Sequence, residues 1–154
     1  MDSVDYVLRK MREEDLGQVT AMEEATQVVP WTSKAFRDCY FAGYPGWVFE
    51  NKNQILSFGI IAVHGEECHL LNICVHPQFQ RHGLGTKMLN HVTDMAKKLG
   101  AMMIYLEVRE SNHKAIALYK KTGFIHINIR KDYYPALEGR EDALVFAKDL
   151  GFIV

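Results

Sequence analysis

Apolar residues recur along this chain with two periods, and the changes between them divide it into successive elements. Tyr6–Met11 predicts a short first strand. From Glu13 onward, Leu16, Val19, Met22 and Ala25 recur at helical spacing behind the acidic first turn Glu13, Glu14 and Asp15. Pro30 interrupts that pattern, and Thr32 or Ser33 is placed to cap a second, short helix carrying Ala35, Phe36 and Cys39. Gly43 and Pro45 close it. Three β-rich runs follow at Trp47–Glu50, Ile55–His64 and Cys68–Val75, joined by the turn-prone Asn51-Lys52-Asn53 and Gly65-Glu66. Short polar turns between such runs predict an antiparallel meander.

The period then lengthens. Leu84, Met88, Leu89, Val92 and Met95 form a helical stripe ended by Gly100. Met102–Val108 predicts a strand, Asn112–Thr122 a capped helix stopped by Gly123, and Phe124–Ile129 and Asp142–Lys148 two further strands. A meander feeding a β-α-β-α-β half implies an α/β (α+β) fold, with a central mixed sheet and helices on both faces. No repeat, low-complexity tract or Pro/Gly-rich linker separates a second unit, so one domain over residues 1–154 is expected.

Composition narrows the class rather than the function. The 154 residues are 48% hydrophobic and 24% charged, as in ordinary globular domains, and long enough for a core without staples. A net charge of −1 gives no global attraction to nucleic acid, and the basic residues form no stripe interleaved with aromatics. Cys39, Cys68 and Cys74 form no C-x-x-C or secreted framework, which points to a reducing cytoplasm. Met1-Asp2-Ser3-Val4-Asp5 lacks the features of a signal peptide. The most apolar run, Ile55–Val63, falls well short of the roughly 20 residues of a membrane helix. Neither membrane nor nucleic acid is expected as a partner, and a monomer is expected.

The sharpest local signal is Gln80-Arg81-His82-Gly83-Leu84-Gly85, between the strand ending at Val75 and the helix starting near Leu84. Two glycines one residue apart let backbone N–H groups converge on a helix N-terminus, a ready site for pyrophosphate, with Arg81 and Lys87 adding positive charge. The dinucleotide fingerprint fits worse, because Met88 stands where its third glycine belongs; the P-loop order Gly-Lys-Ser/Thr is absent. The same glycines also suit a plain strand-to-helix turn.

Asn72-Ile73-Cys74-Val75-His76-Pro77 followed by Gln80-x-x-Gly83-x-Gly85 resembles the acyl-CoA-binding core of the GNAT N-acetyltransferase superfamily. Leu106-Glu107-Val108-Arg109, Ser111-Asn112, Ala115-Ile116-Ala117-Leu118-Tyr119 and Gly123-Phe124 resemble the second half of that fold. More narrowly, Pro30-Trp31, Arg130, Tyr133-Tyr134-Pro135 and Gly139-Arg140-Glu141-Asp142-Ala143 resemble the branch that acetylates the N-terminal alanine of a small-subunit ribosomal protein. Gly151-Phe152-Ile153-Val154 matches no part of the pattern. The resemblance implies a mostly antiparallel sheet whose strands splay at the acyl-CoA site, and acetyl-CoA as co-substrate. It assigns the pantetheine arm to the main chain of Ile73, Cys74 and Val75, and the pyrophosphate to Arg81, His82, Gly83, Leu84, Gly85 and Thr86. It places Asn112 near the reactive end, Glu107 as general base and Tyr119 as general acid. Trp31, Tyr133 and Tyr134 are candidate walls of the acceptor entrance.

The chemistry is consistent with these assignments. A peptide α-ammonium has a pKa of about 8, so reaching the neutral amine costs only about 1.4 kcal/mol at pH 7. A carboxylate near pKa ~4.3 is a poor direct acceptor, so Glu107 needs either a raised pKa or a relaying water, and water is favoured. A phenol near ~10 is a weaker acid than a thiol near ~8.5, so hydrogen bonding to developing charge is the main role expected of Tyr119. Without the family pattern, Glu107 reads as a solvent-facing strand charge and Tyr119 as a core residue.

Cys74, flanked by Ile73 and Val75, reads as an inert buried thiol. The His and Cys residues around 64–76 lack metal-ligand spacing, so no metal is expected. Glu13, Glu14, Asp15, Glu23, Glu24, Glu138, Glu141 and Asp142 are candidates to steer a basic peptide, or simply solvated charges. Lysine or small-molecule amine acetylation, and a non-catalytic acyl-CoA-binding module, are the competing functions.

Overall fold

The computed structural model describes residues 4–151; Met1–Ser3 and the tail residues Phe152–Val154 lie outside the described part. Seven strands form one sheet in the order β1-β2-β3-β4-β5-β7-β6. The strands are β1 Val7–Lys10, β2 Gly46–Asn51, β3 Gln54–His64, β4 Glu67–Val75, β5 Met103–Arg109, β6 Ile125–Pro135 and β7 Arg140–Asp149. Among the described residues four α-helices accompany them: α1 Leu16–Thr26, α2 Ser33–Phe41, α3 Leu84–Lys98 and α4 His113–Lys121. Every neighbouring pair is antiparallel except β4 with β5. This is the expected α/β mixed, mostly antiparallel sheet.

Alternation along the strands sorts the core into two layers. Trp47, Phe49, Leu56, Ile61, Leu106 and Val108 join Leu84, Met88, Val92 and Tyr119 beneath α3 and α4. Val48, Ile55, Phe58, Ile60 and Cys74 join Leu16, Val19, Met22 and Phe36 beneath α1 and α2 on the other face. The central β3 is buried on both faces and accordingly reads as a nearly continuous apolar run. At Gly59 a β-carbon would lie 2.9 Å from Val92 Cγ1, so α3 rests directly on the sheet there.

Two local details differ from the pattern reading. The acidic segment Glu13–Asp15 is a 3-10 turn ahead of α1, because Asp15 is pulled inward. Its carboxylate takes two hydrogen bonds from Arg9, at 2.7 and 2.8 Å, and one from the Arg12 N–H at 2.7 Å. On α1, Glu23 rather than Ala25 continues the buried stripe after Met22. The acidic set proposed for steering is therefore smaller than the sequence suggests: Asp15 and Glu23 are buried, and Glu141 and Asp142 are engaged by Arg109 and Lys131.

β6 also runs longer than expected. The expected strand ends at Ile129, yet it continues through the charged Arg130-Lys131-Asp132 to Pro135, with a register shift between Arg130 and Tyr134. Arg140 donates to the Asp132 and Tyr133 carbonyls at 2.7 and 2.8 Å, and Asp142 accepts from the Asp132 N–H at 2.9 Å. Much of the Gly139–Ala143 motif thus holds the β6–β7 hairpin over the site.

Candidate active site

The site begins where β4 and β5 part. They pair only at Glu67↔Met103, Cys68↔Ile104 and His69↔Tyr105, although β4 continues to Val75 and β5 to Arg109. On the other side of β4 the register jumps from Ile61↔Leu70 to Ile60↔Asn72, so Leu71 is an extra residue. Such a bulge bends its strand and sharpens the twist, and here it turns β4 away from β5. Main-chain groups of Leu70–Val75 that face β5 are left without a strand partner, an edge on which an extended amide-bearing chain can pair. The opening is a cleft of about 960 Å³ lined by Leu70–Val75, Leu106–Arg109 and the N-terminal ends of α3 and α4.

At one end lies the glycine loop. Gly83 caps α3 in the left-handed region at φ +79°, and Arg81 shares that region at φ +68°. The first main-chain bond of the helix is Lys87 N–H to the Gly83 carbonyl at 3.1 Å, so the N–H groups of Leu84, Gly85 and Thr86 have no acceptor within α3. Those three residues, with Arg81 and Gly83, line the cleft. At Gly85 a β-carbon would sit 3.5 Å from Leu118 and 3.7 Å from Val75, occupying the narrow floor between β4 and α4. The donors, the helix dipole and the Arg81 guanidinium suit a pyrophosphate. Leu84 contributes only its backbone, its side chain being in the core. His82 is not on the cleft wall; its buried Nδ1 has no partner among the described residues.

Glu107 and Tyr119 both line the cleft but from opposite faces of the sheet. Leu106 and Val108 point into the layer that contains Tyr119, so Glu107 between them points to the α1–α2 side. Its Oε1 accepts from Arg130 Nη1 at 3.1 Å, and 26% of the side chain remains exposed, leaving the carboxylate within reach of water. Tyr119 is 6% exposed, its ring packed against Phe124 and Phe146. Among the described residues it enters the hydrogen-bond network through its main chain, accepting from Thr122 and Phe124. Burial pushes its phenol well above the ordinary tyrosine range. Asn112 also lines the cleft, but its Oδ1 is occupied capping α4, accepting from Ala115 N–H at 3.2 Å. Its amide nitrogen is left free of this cap and can donate to a ligand.

Of the three candidate entrance aromatics, Trp31 and Tyr134 line the cleft whereas Tyr133 does not; Tyr133 is 41% exposed and lies under Arg130. Burial, reinforced by the nearby Glu107 carboxylate, pushes the Tyr134 phenol up. Arg109 stacks on Tyr134 at 4.5 Å, pairs with Glu141 at 2.9 Å and donates to the Pro135 carbonyl at 2.7 Å. The sequence assigns Arg109 no separate role, and offers Glu23 only as one of several acidic residues that either steer a basic peptide or are solvated charges. Glu23 lines the cleft at 2% exposure beside Asn72; its spacing of seven from Leu16 was the available signal. Ile73, Cys74 and Val75 lie together on the β4 edge of the cleft, and burial holds the Cys74 thiol up at about 11, so it is an inert wall. Among the described residues no His/Cys/Asp/Glu group is arranged to hold a metal ion, and no helix is long and apolar enough to cross a membrane.

A splayed sheet with a helix N-terminus at one end and a carboxylate and a phenol at the other is the arrangement of an acyl-CoA-dependent acyltransferase. The chain belongs to the acetyltransferase (GNAT) family, whose profile matches residues 7–124. It is 38% identical over 133 residues to the Escherichia coli K12 protein named [ribosomal protein bS18]-alanine N-acetyltransferase, covering 86% of this chain and 90% of that one. A Haemophilus ducreyi relative of the same name is 34% identical, covering 88% and 94%. The crystal structure of the Escherichia coli ribosomal-protein-S18-alanine N-acetyltransferase superposes with a TM-score of 0.89 at 34% identity, covering 97% of both chains.

Proposed function

We propose that this chain is a single-domain acetyltransferase, residues 1–154, that transfers the acetyl group of acetyl-CoA to the N-terminal alanine of a ribosomal protein of the bS18 type. The observation that carries the reading is the placement of Glu107 and Tyr119 on opposite faces at the splay. The acceptor amine approaches along the α1–α2 side, under Trp31 and Tyr134, while the thiol departs toward the α3–α4 side. Relatives at 34–38% identity that carry the bS18-alanine name support the choice of acceptor.

Acetyl-CoA supplies the acetyl group as an activated thioester. The main-chain edge of Ile73–Val75 holds the pantetheine amides, and the α3 N-terminus with Arg81 holds the pyrophosphate. Glu107 carries the amine proton away through a bound water, which its partial exposure permits. Tyr119 donates a hydrogen bond to the sulfur as negative charge develops there. Its raised pKa makes outright proton transfer to a thiolate less favourable than a strong hydrogen bond. The Asn112 amide nitrogen is available to a carbonyl near the reactive end. A soluble, cytoplasmic setting fits such a substrate.

The test is intact mass after incubation of acetyl-CoA with a basic peptide bearing a free N-terminal alanine. Controls are the same peptide with its N-terminus blocked and one with an internal lysine. One acetyl group on the free alanine, absent from the blocked peptide, is expected. Modification of lysine, or binding without transfer, would overturn the assignment.

A further inference from the structure

We propose that Glu23 is a positioning residue for the acceptor: its buried carboxylate ties the Gln27–Thr32 loop to the bulged part of β4 and so sets the acceptor side of the cleft. The inference rests on the acyl-transfer reading above and names a residue that reading does not use. Glu23 lies in the last turns of α1 at 2% exposure. Oε2 accepts from the Trp31 N–H at 2.9 Å and Oε1 from Asn72 Nδ2 at 3.1 Å. Among the described residues no basic side chain pairs with it. A buried carboxylate without a counter-cation is a costly way to hold a loop. Burial drives its pKa up, and the two donors only partly restore the anion.

The cost has a geometric return. Trp31 and Asn72, the two donors, both line the cleft, as do Val29, Pro30 and Glu23 itself. Asn72 lies next to the extra residue Leu71, where β4 departs from regular pairing. One side chain therefore couples the loop after α1 to the bend that opens the sheet. The α1–α2 layer lies on the Glu107 side, opposite the α3 N-terminus that suits pyrophosphate. A disturbance at Glu23 should reach the acceptor and spare acetyl-CoA.

A carboxylate offers two acceptor oxygens and no donor, which matches two N–H partners. In Glu23→Gln one oxygen must serve both donors while the new amide faces one of them. With one donor orphaned, the Gln27–Thr32 loop loses part of its tie to β4, and peptide KM should rise about tenfold. Turnover at saturating peptide should change less than KM, and the acetyl-CoA Kd should stay within about twofold. The double variant Glu23→Gln/Asn72→Asp restores complementarity: the glutamine oxygen accepts from the Trp31 N–H, and its amide donates to the carboxylate introduced on β4. It should return KM to within about threefold of wild type.

Should Glu23→Gln alone fail to fold, recovery of folding and KM in the double variant carries the same meaning. Asn72→Ala gives an independent, smaller rise in KM. An unchanged KM in folded Glu23→Gln overturns the proposal. So does a fall in kcat that the double variant leaves uncorrected, which would make the Glu23 carboxylate part of the chemistry. Wild type unable to acetylate the free α-amine peptide would instead sink the function itself, so the two failures are distinguishable.

Discussion

Replacing Tyr119 by phenylalanine removes one oxygen and leaves the ring packed against Phe124 and Phe146. The fold bonds Tyr119 through its main chain, so the substitution orphans no donor or acceptor among the described residues. Stability should therefore change by no more than about 1 kcal/mol, or roughly 2–4 °C in Tm for a domain of this size. The effect on rate is larger. A hydrogen bond to a charged group contributes about 1.5–3 kcal/mol, and each 1.36 kcal/mol is tenfold, so turnover should fall about 10- to 150-fold. The upward pKa shift from burial places Tyr119 near the low end of the ~10²–10⁴ range of general acids. The assay is CoA-thiol release under saturating peptide, with acetyl-CoA Kd by calorimetry and a thermal melt on the same preparation. Turnover within about threefold of wild type would refute the role. A weakened acetyl-CoA Kd with turnover intact would move the hydroxyl from chemistry to binding.

Glu107→Gln keeps an oxygen for Arg130 but cannot carry a proton away. kcat should fall by about 10²–10³ while Tm hardly moves, since a partly exposed pair is worth ~0–1 kcal/mol; full activity would remove Glu107 from the mechanism. Gly83→Ala meets no steric obstacle within 4 Å but must hold φ +79°. It should cost about 1–2 kcal/mol and raise the acetyl-CoA Kd, and unchanged Tm and Kd together would show that the loop geometry does not bind the cofactor. Burial works to raise the Asp15 carboxyl, but the Arg9 guanidinium and the Arg12 N–H overcome it and hold it below the usual carboxylate range. With a depressed folded pKa, its stabilisation is complete above the unfolded value near ~4 and is lost as pH falls through the folded value. Asp15→Asn should thus cost about 2 kcal/mol near neutral pH in urea melts, with the gap to wild type narrowing below about pH 4. A gap constant with pH would contradict this.

The order of elements was legible because each obeys a local rule. Thr32 caps α2 through its side chain, Asn112 caps α4, and Gly100 and Gly123 leave their helices at φ +99° and +97°. The two-sided burial of β3 appears as a nearly continuous apolar run, since a central strand meets a packed layer on each face. The glycine loop was readable for the same reason: a left-handed Gly83 at the start of α3 is a backbone requirement written in a residue type. The chain itself therefore determined the sheet's composition and the candidate anion site.

Only the tertiary structure decided where the sheet opens and which side chains meet there. Leu71 looks like any other apolar strand residue, because a bulge arises from register between two strands and leaves no mark on one of them. The burial of Glu23 and Asp15 depends on donors supplied from distant segments, Trp31 and Asn72 for one and Arg9 with the Arg12 N–H for the other. The opposed faces of Glu107 and Tyr119 depend on how β5 and α4 pack together. Hydrogen-bond partners and faces at this site are properties of pairs of elements, and a one-dimensional pattern records each element singly.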